Sequence, residues 1–188
     1  MSPEKSILIV HGGRFGQSEK IARAIQTTLE QAGRATELVP LTSETAPDPD
    51  RHQGLVLVTS VRYGHFDRNA YRLVTHWRPW LVSVPCQLVT VSLTARKPEK
   101  RTVDNHVYTR KFVEKSDWPG LVEIVAGVLE YPNYNVLDRS AIQLIMRMTD
   151  GPTDKTVSIE YTDWDQVRRA AERFAALPPP AGADAAGA

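Results

Sequence analysis

Apolar residues along this chain fall into short runs that alternate with helical patterns. The runs Ile7–Val10, Gly54–Ser60 and Pro85–Leu93 are rich in aliphatic and β-branched residues, which is typical of strands buried on both faces. Two further extended segments are predicted over Ala35–Val39 and Leu121–Leu129. Because strands and helices alternate, the sequence predicts an α/β fold with a doubly wound parallel sheet and helices on both faces.

The helical patterns between these runs carry recognisable ends. Ile21, Ile25 and Leu29 share one stripe, and Gly33 is predicted to end that helix. A second helix is predicted to begin at Asp67 or Asn69, to turn Tyr71, Val74 and Trp77 inward and to stop near Pro79, and a third spans His106–Lys115.

The last helix is predicted to begin with a capping box, Thr162-x-x-Asp165. Trp164, Val167, Ala171 and Phe174 follow at helical spacing. The domain is predicted to span residues 1–177, and the Ala/Gly-rich tail 178–188 is predicted to be disordered.

One segment breaks the alternation, namely residues 131–154. It begins Tyr131-Pro132-Asn133-Tyr134 and then becomes apolar, which argues against disorder. A long insertion in a small domain is usually functional. Two interpretations stay open: a helix packed on the core, or an amphipathic segment that covers a ligand or touches a bilayer.

Composition narrows the class of protein only in part. The chain has 188 residues, 41% of them hydrophobic, and a net charge of +1, which favours neither nucleic acid nor membrane. Cys86 is the single cysteine and is predicted to be buried. The five histidines lack metal-ligand spacing, so we expect no metal site. We also expect cytoplasmic synthesis, because the apolar start is too short for a signal peptide.

Three loops should meet at one edge of the sheet: Gly12–Ser18, Ser60–His65 and Ser92–Lys97. The first combines glycines with a helix N-terminus, an arrangement that binds phosphate, although it matches neither G-x-G-x-x-G nor a P-loop. In the second, Tyr63 is a stacking candidate, and His65 could exchange protons because imidazole titrates near neutral pH. These two residues are the catalytic candidates.

Several motifs in order resemble one known family. They are Ser60-Val61-Arg62-Tyr63-Gly64-His65, Ala95-Arg96-Lys97-Pro98-Glu99-Lys100-Arg101-Thr102, Tyr108-Thr109-Arg110-Lys111-Phe112, Ala126-Gly127, Tyr131-Pro132-x-Tyr134, Asp138-Arg139, Ile145-Met146 and Tyr161-Thr162-Asp163-Trp164. Across roughly residues 6 to 175 the chain resembles the flavodoxin-type, quinone-dependent protoporphyrinogen IX dehydrogenases of bacterial haem biosynthesis.

The resemblance implies a flavodoxin-like five-stranded sheet of order 2-1-3-4-5, with an insertion after or within the fifth strand, that binds FMN. It further implies oxidation of protoporphyrinogen IX, with electrons passed to a membrane quinone, either menaquinone or ubiquinone. The expected location is the inner face of the cell membrane, as a peripheral protein. The alternative is a soluble flavodoxin-like electron carrier or a quinone reductase.

Loop positions and resemblance together predict the site residues. The cofactor-binding residues are Gly12, Gly13, Arg14, Phe15, Gly16, Gln17, Ser18, Ser60, Val61, Arg62, Tyr63, Gly64, Ser92, Leu93, Thr94 and Ala95. The substrate-binding residues are Arg96, Lys97, Tyr131 and Tyr134. Gly12 and Gly13 stand where flavodoxin-type loops usually carry hydroxyl side chains.

A basic cluster follows the fourth strand and continues into the next helix. Its members are Arg96, Lys97, Lys100, Arg101, Arg110 and Lys111. Arginine suits bidentate contact with carboxylates, so this cluster is expected to bind the propionates of the substrate or the FMN. Anionic lipid and an ordinary solvated surface are the other interpretations.

Overall fold

A five-stranded parallel sheet forms the centre of the protein. The computed structural model describes residues 5–133, 136–148, 151–154 and 156–180. The sheet has the order β2-β1-β3-β4-β5, and every neighbouring pair is parallel, as predicted. Its strands are β1 Ser6–Gly12, β2 Thr36–Pro40, β3 His52–Ser60, β4 Cys86–Val91 and β5 Leu121–Val125.

Helices cover both faces of this sheet. The described helices are α1 Gln17–Gln31, α2 Arg68–Leu81, α3 Val107–Ser116, α4 Val136–Met148 and α5 Trp164–Ala175, of which α4 belongs to the insertion. Residues of α1 and α5 pack on one face, with Ile21 and Phe174 in that core. Residues of α2 and α3 pack on the other, where Leu73 and Phe112 are buried. The two-layered core confirms the doubly wound arrangement.

Cys86 lies at the start of β4 and is buried, as predicted. Burial raises the pKa of its thiol to about 12. The thiol is therefore protonated and packs as a small apolar group.

The predicted fifth strand, Leu121–Leu129, is two strands. β5 ends at Val125, opposite Val91 at the end of β4, and the chain then leaves the sheet. It resumes as β6, Val128–Glu130, which pairs antiparallel with β7, Ser158–Glu160. The prediction of one continuous strand was wrong because apolar character persists through the break, where the carbonyl groups of Ala126 and Gly127 accept from Thr162 and Tyr161.

The capping box predicted at Thr162 is also wrong. Asp163 is the N-cap of α5, and its carboxylate accepts from the Gln166 N–H at 2.9 Å. Thr162 is buried, donates to the Ala126 carbonyl at 3.0 Å and accepts from the Gln17 side chain at 2.8 Å. The Thr162 hydroxyl is therefore engaged in long-range hydrogen bonds and does not cap α5 as the local motif predicts.

The helix predicted after Asp67 is confirmed. α2 begins after its Asp67 cap and ends at Leu81, shortly after Pro79. Val74 is buried as predicted, and Tyr71 and Trp77 are half-buried and pack against the same core. Trp164, in α5, is 42% exposed.

The insertion is folded onto the sheet domain. The structure extends it beyond the predicted residues 131–154, because it consists of β6, a 3₁₀ turn over Tyr131–Asn133, α4 and β7. Its own small core consists of Leu129, Tyr131 and Met146. Thus the segment holds both a packed helix and, as described below, part of a cavity wall.

The predicted single-domain span of residues 1–177 stays a prediction, as does the disordered tail. Residues 178–180 have no regular secondary structure, and the rest of the tail lies outside the described residues. Within the described ranges, no helix combines the length and apolar character needed to cross a bilayer.

Candidate functional site

A cavity opens at the carboxyl ends of β1, β3 and β4, where the three predicted loops meet. Ligands of open α/β sheets bind at this edge. Its wall is formed by Gly13, Arg14, Phe15, Gln17, Ser18, Ser60, Val61, Arg62, Tyr63, Gly64, Val91, Ser92, Leu93, Thr94, Tyr108, Gly127, Val128 and Ile142.

The loop between β1 and α1 provides the features of an anion site. Gly16 is the N-cap of α1, has a φ of 80° and supplies no capping side chain, so the helix N-terminus has no side-chain cap. The hydroxyl of Ser18 is buried and has no hydrogen-bond partner in the described parts of the chain. A buried hydroxyl normally finds a partner, so this one fits a phosphate bound at the helix N-terminus.

Gly13 allows the loop to approach these hydroxyls closely. A Cβ atom at Gly13 would lie 2.7 Å from the Ser18 Oγ and 3.1 Å from the Ser60 Oγ. Any side chain would therefore intrude on the space between the first and second loops. Gly13 therefore keeps the space beside the Ser18 and Ser60 hydroxyls open.

The loop after β3 is a tight two-residue turn. Arg62 and His65 exchange backbone hydrogen bonds of 2.8 and 2.9 Å, with Tyr63 at φ 49° and Gly64 at φ 79° between them. Positive φ at both central positions is the signature of a type I′ turn. The turn places Tyr63, which is 45% exposed, in the cavity wall, and the Arg62 guanidinium lies 4.7 Å from its ring centroid.

The same turn separates the two catalytic candidates. His65 is exposed and is absent from the cavity wall, whereas Tyr63 lines it. Gly64 brings the turn against Tyr108 of α3, since a Cβ there would lie 2.8 Å from the tyrosine Cε1. The cavity rim therefore carries two tyrosines, one predicted and one not.

The loop after β4 contributes hydroxyl groups. Ser92 Oγ and Thr94 Oγ1 are 2.9 Å apart, and both residues line the cavity. Thr94 Oγ1 also lies 3.1 Å from Nε2 of the buried His106. Burial, and then the charge of Lys100, lower the pKa of His106 to about 4, so its imidazole is neutral at physiological pH.

Members of the basic cluster point to different partners. Arg96 donates to the Leu93 carbonyl at 3.2 Å, and Arg101 pairs with Asp163 at 3.6 Å. Neither Arg96 nor Lys97 lies in the cavity wall, whereas Arg14 and Arg62 do. Arg14 and Arg62, which are not members of the basic cluster, are therefore the arginines placed to contact a ligand in the cavity.

The insertion supplies the apolar side of the cavity. Ile142 of α4 and Val128 of β6 line it. Phe15 and Leu93, also in the wall, pack against the buried cluster of Leu129, Tyr131 and Met146. Contacts between the insertion and the first and third loops thus hold this wall together.

Tyr131 is not a surface residue in this structure. Its side chain is fully buried, and its hydroxyl donates to the Pro152 carbonyl at 3.0 Å. Burial raises the pKa of this phenol. The expectation that Tyr131 touches substrate directly conflicts with this placement, because the aromatic ring is used in the core. Tyr134 lies outside the described residues.

Three predicted cofactor residues are not part of the wall. Gly12 ends β1, and a Cβ there would meet Leu41 at 2.7 Å. Ala95 is buried with Ile124 and Ala126. Gly16 is the N-cap of α1. The remaining residues of the predicted cofactor set line the cavity together.

Five wall residues were missed by sequence reasoning: Val91, Tyr108, Gly127, Val128 and Ile142. Tyr108 and Gly127 belong to motifs that carried the resemblance, so these motifs could have predicted them as site residues. The others are apolar residues whose position at the cavity depends on tertiary packing alone.

Comparison with known proteins agrees with this geometry. The flavodoxin domain family matches residues 8–156. Flavodoxin 1 of Bacillus cereus is similar to the chain in fold, with a TM-score of 0.57, 11% identity and coverage of 93% of this chain and all of that one. A Streptococcus pneumoniae flavodoxin has a TM-score of 0.50 at 13% identity, over 90% of this chain and 97% of its own. The chain belongs to the flavodoxin family, which supports a flavin as its cofactor.

Curated relatives define the branch of that family. "Protoporphyrinogen IX dehydrogenase [quinone]" of Escherichia coli K12 is 36% identical over 171 residues, covering 90% of this chain and 94% of the relative. The Leishmania major protein of the same name is 48% identical over 128 residues, and the match spans 68% of this chain but 55% of that relative. The resemblance to this group of dehydrogenases is confirmed.

Proposed function

We propose that this protein is an FMN-dependent dehydrogenase that oxidises protoporphyrinogen IX to protoporphyrin IX and passes the electrons to a membrane quinone. The observation that carries the proposal is the two-sided cavity. One side has the Ser18 hydroxyl at the start of α1, which is buried and has no partner among the described residues, and the other has the apolar insertion wall. The 36% identity to the Escherichia coli dehydrogenase over 90% of the chain supports the same activity.

The loop from Gly13 to Ser18 would hold the FMN phosphate. The N-terminus of α1 contributes about 0.3–1 kcal/mol to the binding of an anion, in addition to direct hydrogen bonds. Tyr63 is placed at the rim, where its ring can stack on a planar group. When bound, the flavin supplies the electron-accepting ring, and the protein's part is to position it and exclude water.

The insertion wall would receive the macrocycle of the substrate. Phe15, Leu93 and Ile142 form a continuous apolar surface beside the hydroxyl-lined loops. Burial of apolar area against such a wall is favourable by about 25 cal/mol per Å². A flavodoxin that only carries electrons has no need of such a surface.

Cations at the cavity would recognise the substrate carboxylates. Arg14 and Arg62 lie in the wall, and Arg96 and Lys97 follow from the adjacent 3₁₀ turn. Guanidinium groups bind carboxylates in a bidentate manner. We expect Arg62→Gln to raise the KM for protoporphyrinogen more than Arg96→Gln does, because Arg62 lines the cavity and Arg96 does not.

The outer face of α4 would contact the membrane surface on the cytoplasmic side. Leu144 and Met148 are one helical turn apart and 59% and 76% exposed, with Arg147 exposed beside them. Exposed apolar side chains next to a cation are typical of helices that lie in the bilayer interface. This contact would bring the cavity close to the quinone pool.

The direct test of the dehydrogenase is an anaerobic assay of the purified protein. Protoporphyrinogen IX, FMN and a soluble quinone are mixed with it, and the fluorescence of protoporphyrin IX is followed. We expect product formation that requires both FMN and quinone. A protein that binds FMN and reduces quinones from another donor, but leaves protoporphyrinogen unchanged, would be an electron carrier.

The matched negative control is Gly13→Val. Its side chain would intrude between Ser18 and Ser60, so FMN affinity should fall by about 100-fold or more, which corresponds to roughly 2.7 kcal/mol. Circular dichroism should show the wild-type fold. FMN binding at wild-type affinity would place the cofactor elsewhere.

Membrane contact is tested by flotation with vesicles that contain anionic phospholipid. The double substitution Leu144→Ser and Met148→Ser should reduce the bound fraction severalfold. Val82→Ser is the control, because Val82 is 57% exposed but lies at the end of α2. Equal losses in both proteins would contradict a role for α4.

A further inference from the structure

A chain of hydrogen bonds leads from the cavity to the start of α3 and is buried at its inner end. His106 is 2% exposed and is the N-cap of that helix. Its Nδ1 accepts from the Thr109 N–H at 3.2 Å and lies 2.8 Å from the Thr109 hydroxyl, and its Nε2 lies 3.1 Å from Thr94 Oγ1. Thr94 Oγ1 is in turn 2.9 Å from Ser92 Oγ, and both hydroxyl residues line the cavity.

The direction of hydrogen-bond donation along this chain follows from the contacts of Nδ1 of His106. A backbone N–H can only donate, so the contact with the Thr109 N–H requires a lone pair on Nδ1 of His106. The Thr109 hydroxyl lies 2.8 Å from the same nitrogen and 3.1 Å from Thr90 Oγ1, so in this arrangement its proton must point to Nδ1 rather than to Thr90. The neutral ring therefore carries its proton on Nε2. The lowered pKa of His106 keeps the ring neutral, and so Nε2–H donates to Thr94 Oγ1.

The orientation of the Thr94 and Ser92 hydroxyl protons follows from this donation. Thr94 Oγ1 accepts from the imidazole, so its own proton is directed to Ser92 Oγ or into the cavity. When Thr94 donates to Ser92, the Ser92 proton is the one that remains for a ligand. In either arrangement, the pair presents a hydroxyl donor at the cavity wall.

We propose that His106 is a positioning residue that orients the Thr94–Ser92 hydroxyl pair to donate a hydrogen bond to an acceptor atom of the bound flavin ring. The inference rests on the proposed flavin binding. His106 does not line the cavity and acts only through Thr94. None of the residues singled out in the sequence as catalytic candidates belongs to this chain.

Two substitutions separate positioning from simple helix capping. His106→Asn retains a side-chain acceptor near the Nδ1 position, and asparagine is a favoured N-cap, but it lacks a donor that reaches Thr94. His106→Gln extends a donor toward the Nε2 position and places its polar atoms poorly for the cap. Thr94→Val keeps the shape of the side chain and removes the hydroxyl.

The first measurement uses the protein without flavin. Nitrogen NMR of protein labelled at histidine should show one imidazole that carries its proton on Nε2 and does not titrate between about pH 5 and 8. This resonance should be absent from His106→Asn. A titrating His106, or one with its proton on Nδ1, would overturn the proposal.

The second measurement is FMN affinity together with the visible spectrum of the bound flavin. His106→Asn and Thr94→Val should each weaken FMN binding by up to about tenfold and shift the spectrum in the same way. The double variant should bind as weakly as either single one, because both break the same chain. His106→Gln should bind FMN more tightly than His106→Asn while melting at a lower temperature.

The outcomes distinguish this inference from the proposed function. Wild-type affinity and spectrum in His106→Asn, or losses that multiply in the double variant, would overturn the positioning role while flavin binding stands. A wild-type protein that binds no FMN would overturn both.

Discussion

The sheet and the insertion both contribute residues to the wall of one cavity, yet they are built differently. Residues 55–58 of β3 are fully buried, with helices packed on both faces of the sheet. Among its described residues, the insertion has a small core of Leu129, Tyr131 and Met146, supported by partly buried neighbours, and its helix α4 exposes Leu144 and Met148.

This difference suggests that the sheet core provides most of the stability, whereas the insertion serves recognition. A layer with complete burial on both faces contributes most of the apolar area removed from water, which is the main stabilising term of folding. A small cluster on one helix contributes little to it, so its apolar side chains can serve a ligand or a membrane. We therefore expect substitutions in the two regions to have different consequences.

The largest effect on stability is expected in the sheet. Leu57→Ala removes a fully buried side chain of β3 and should lower the free energy of unfolding by about 2–5 kcal/mol. Urea denaturation followed by circular dichroism measures this loss. Leu144→Ala, on the exposed face of α4, is the control and should change the same quantity by about 0.5 kcal/mol or less.

Met146→Ala makes the corresponding change in the insertion. Met146 is also fully buried, but its partly buried neighbours can close around the space, so the loss should be near 2 kcal/mol, at the low end of the range. The kcat/KM for protoporphyrinogen should fall about tenfold or more, because the wall beneath Phe15 and Leu93 is disturbed. A loss of stability equal to that of Leu57→Ala would show that the insertion belongs to the main core.

The pH dependence of the free energy of unfolding tests the environment of the buried His106. The pKa of His106 is about 4 in the folded protein and near 6.5 when the chain is unfolded. Between these values the unfolded chain binds a proton that the folded protein does not, so stability falls as the pH drops from 6.5 towards 4. The slope from this group approaches about 1.4 kcal/mol per pH unit. His106→Asn should remove that slope in urea titrations at several pH values, and an unchanged slope would assign the dependence to other groups.

The smallest effect is expected from Tyr131→Phe. It removes the hydroxyl that donates to the Pro152 carbonyl and leaves the ring in the core of the insertion. One neutral hydrogen bond is worth about 0.5–1.5 kcal/mol, measured by thermal or chemical denaturation. Tyr131→Ala should be more damaging to protoporphyrinogen oxidation than Tyr131→Phe. Equal activity losses would point instead to a direct role of the hydroxyl.

Most of the fold and most of the cavity wall could be predicted from the sequence. The runs Ile7–Val10 and Gly54–Ser60 are strands because continuous apolar character suits burial on both faces. The three loops that follow the strands met as expected, since carboxyl ends of parallel strands share one edge. The errors arose where a long-range contact replaced a local one, as at Thr162, whose hydroxyl is used by Ala126 and Gln17.

The sequence by itself determined the alternating α/β order, the glycine loop after β1 and the family to which the chain belongs. These depend on patterns between residues close together in the chain. Tertiary structure alone decided that Tyr131 is buried, that Ile142 faces the cavity and that His106 is tied to Thr94. The physical reason is that burial and hydrogen-bond partners are set by segments far apart in sequence, and local propensity carries no information about which of them will meet.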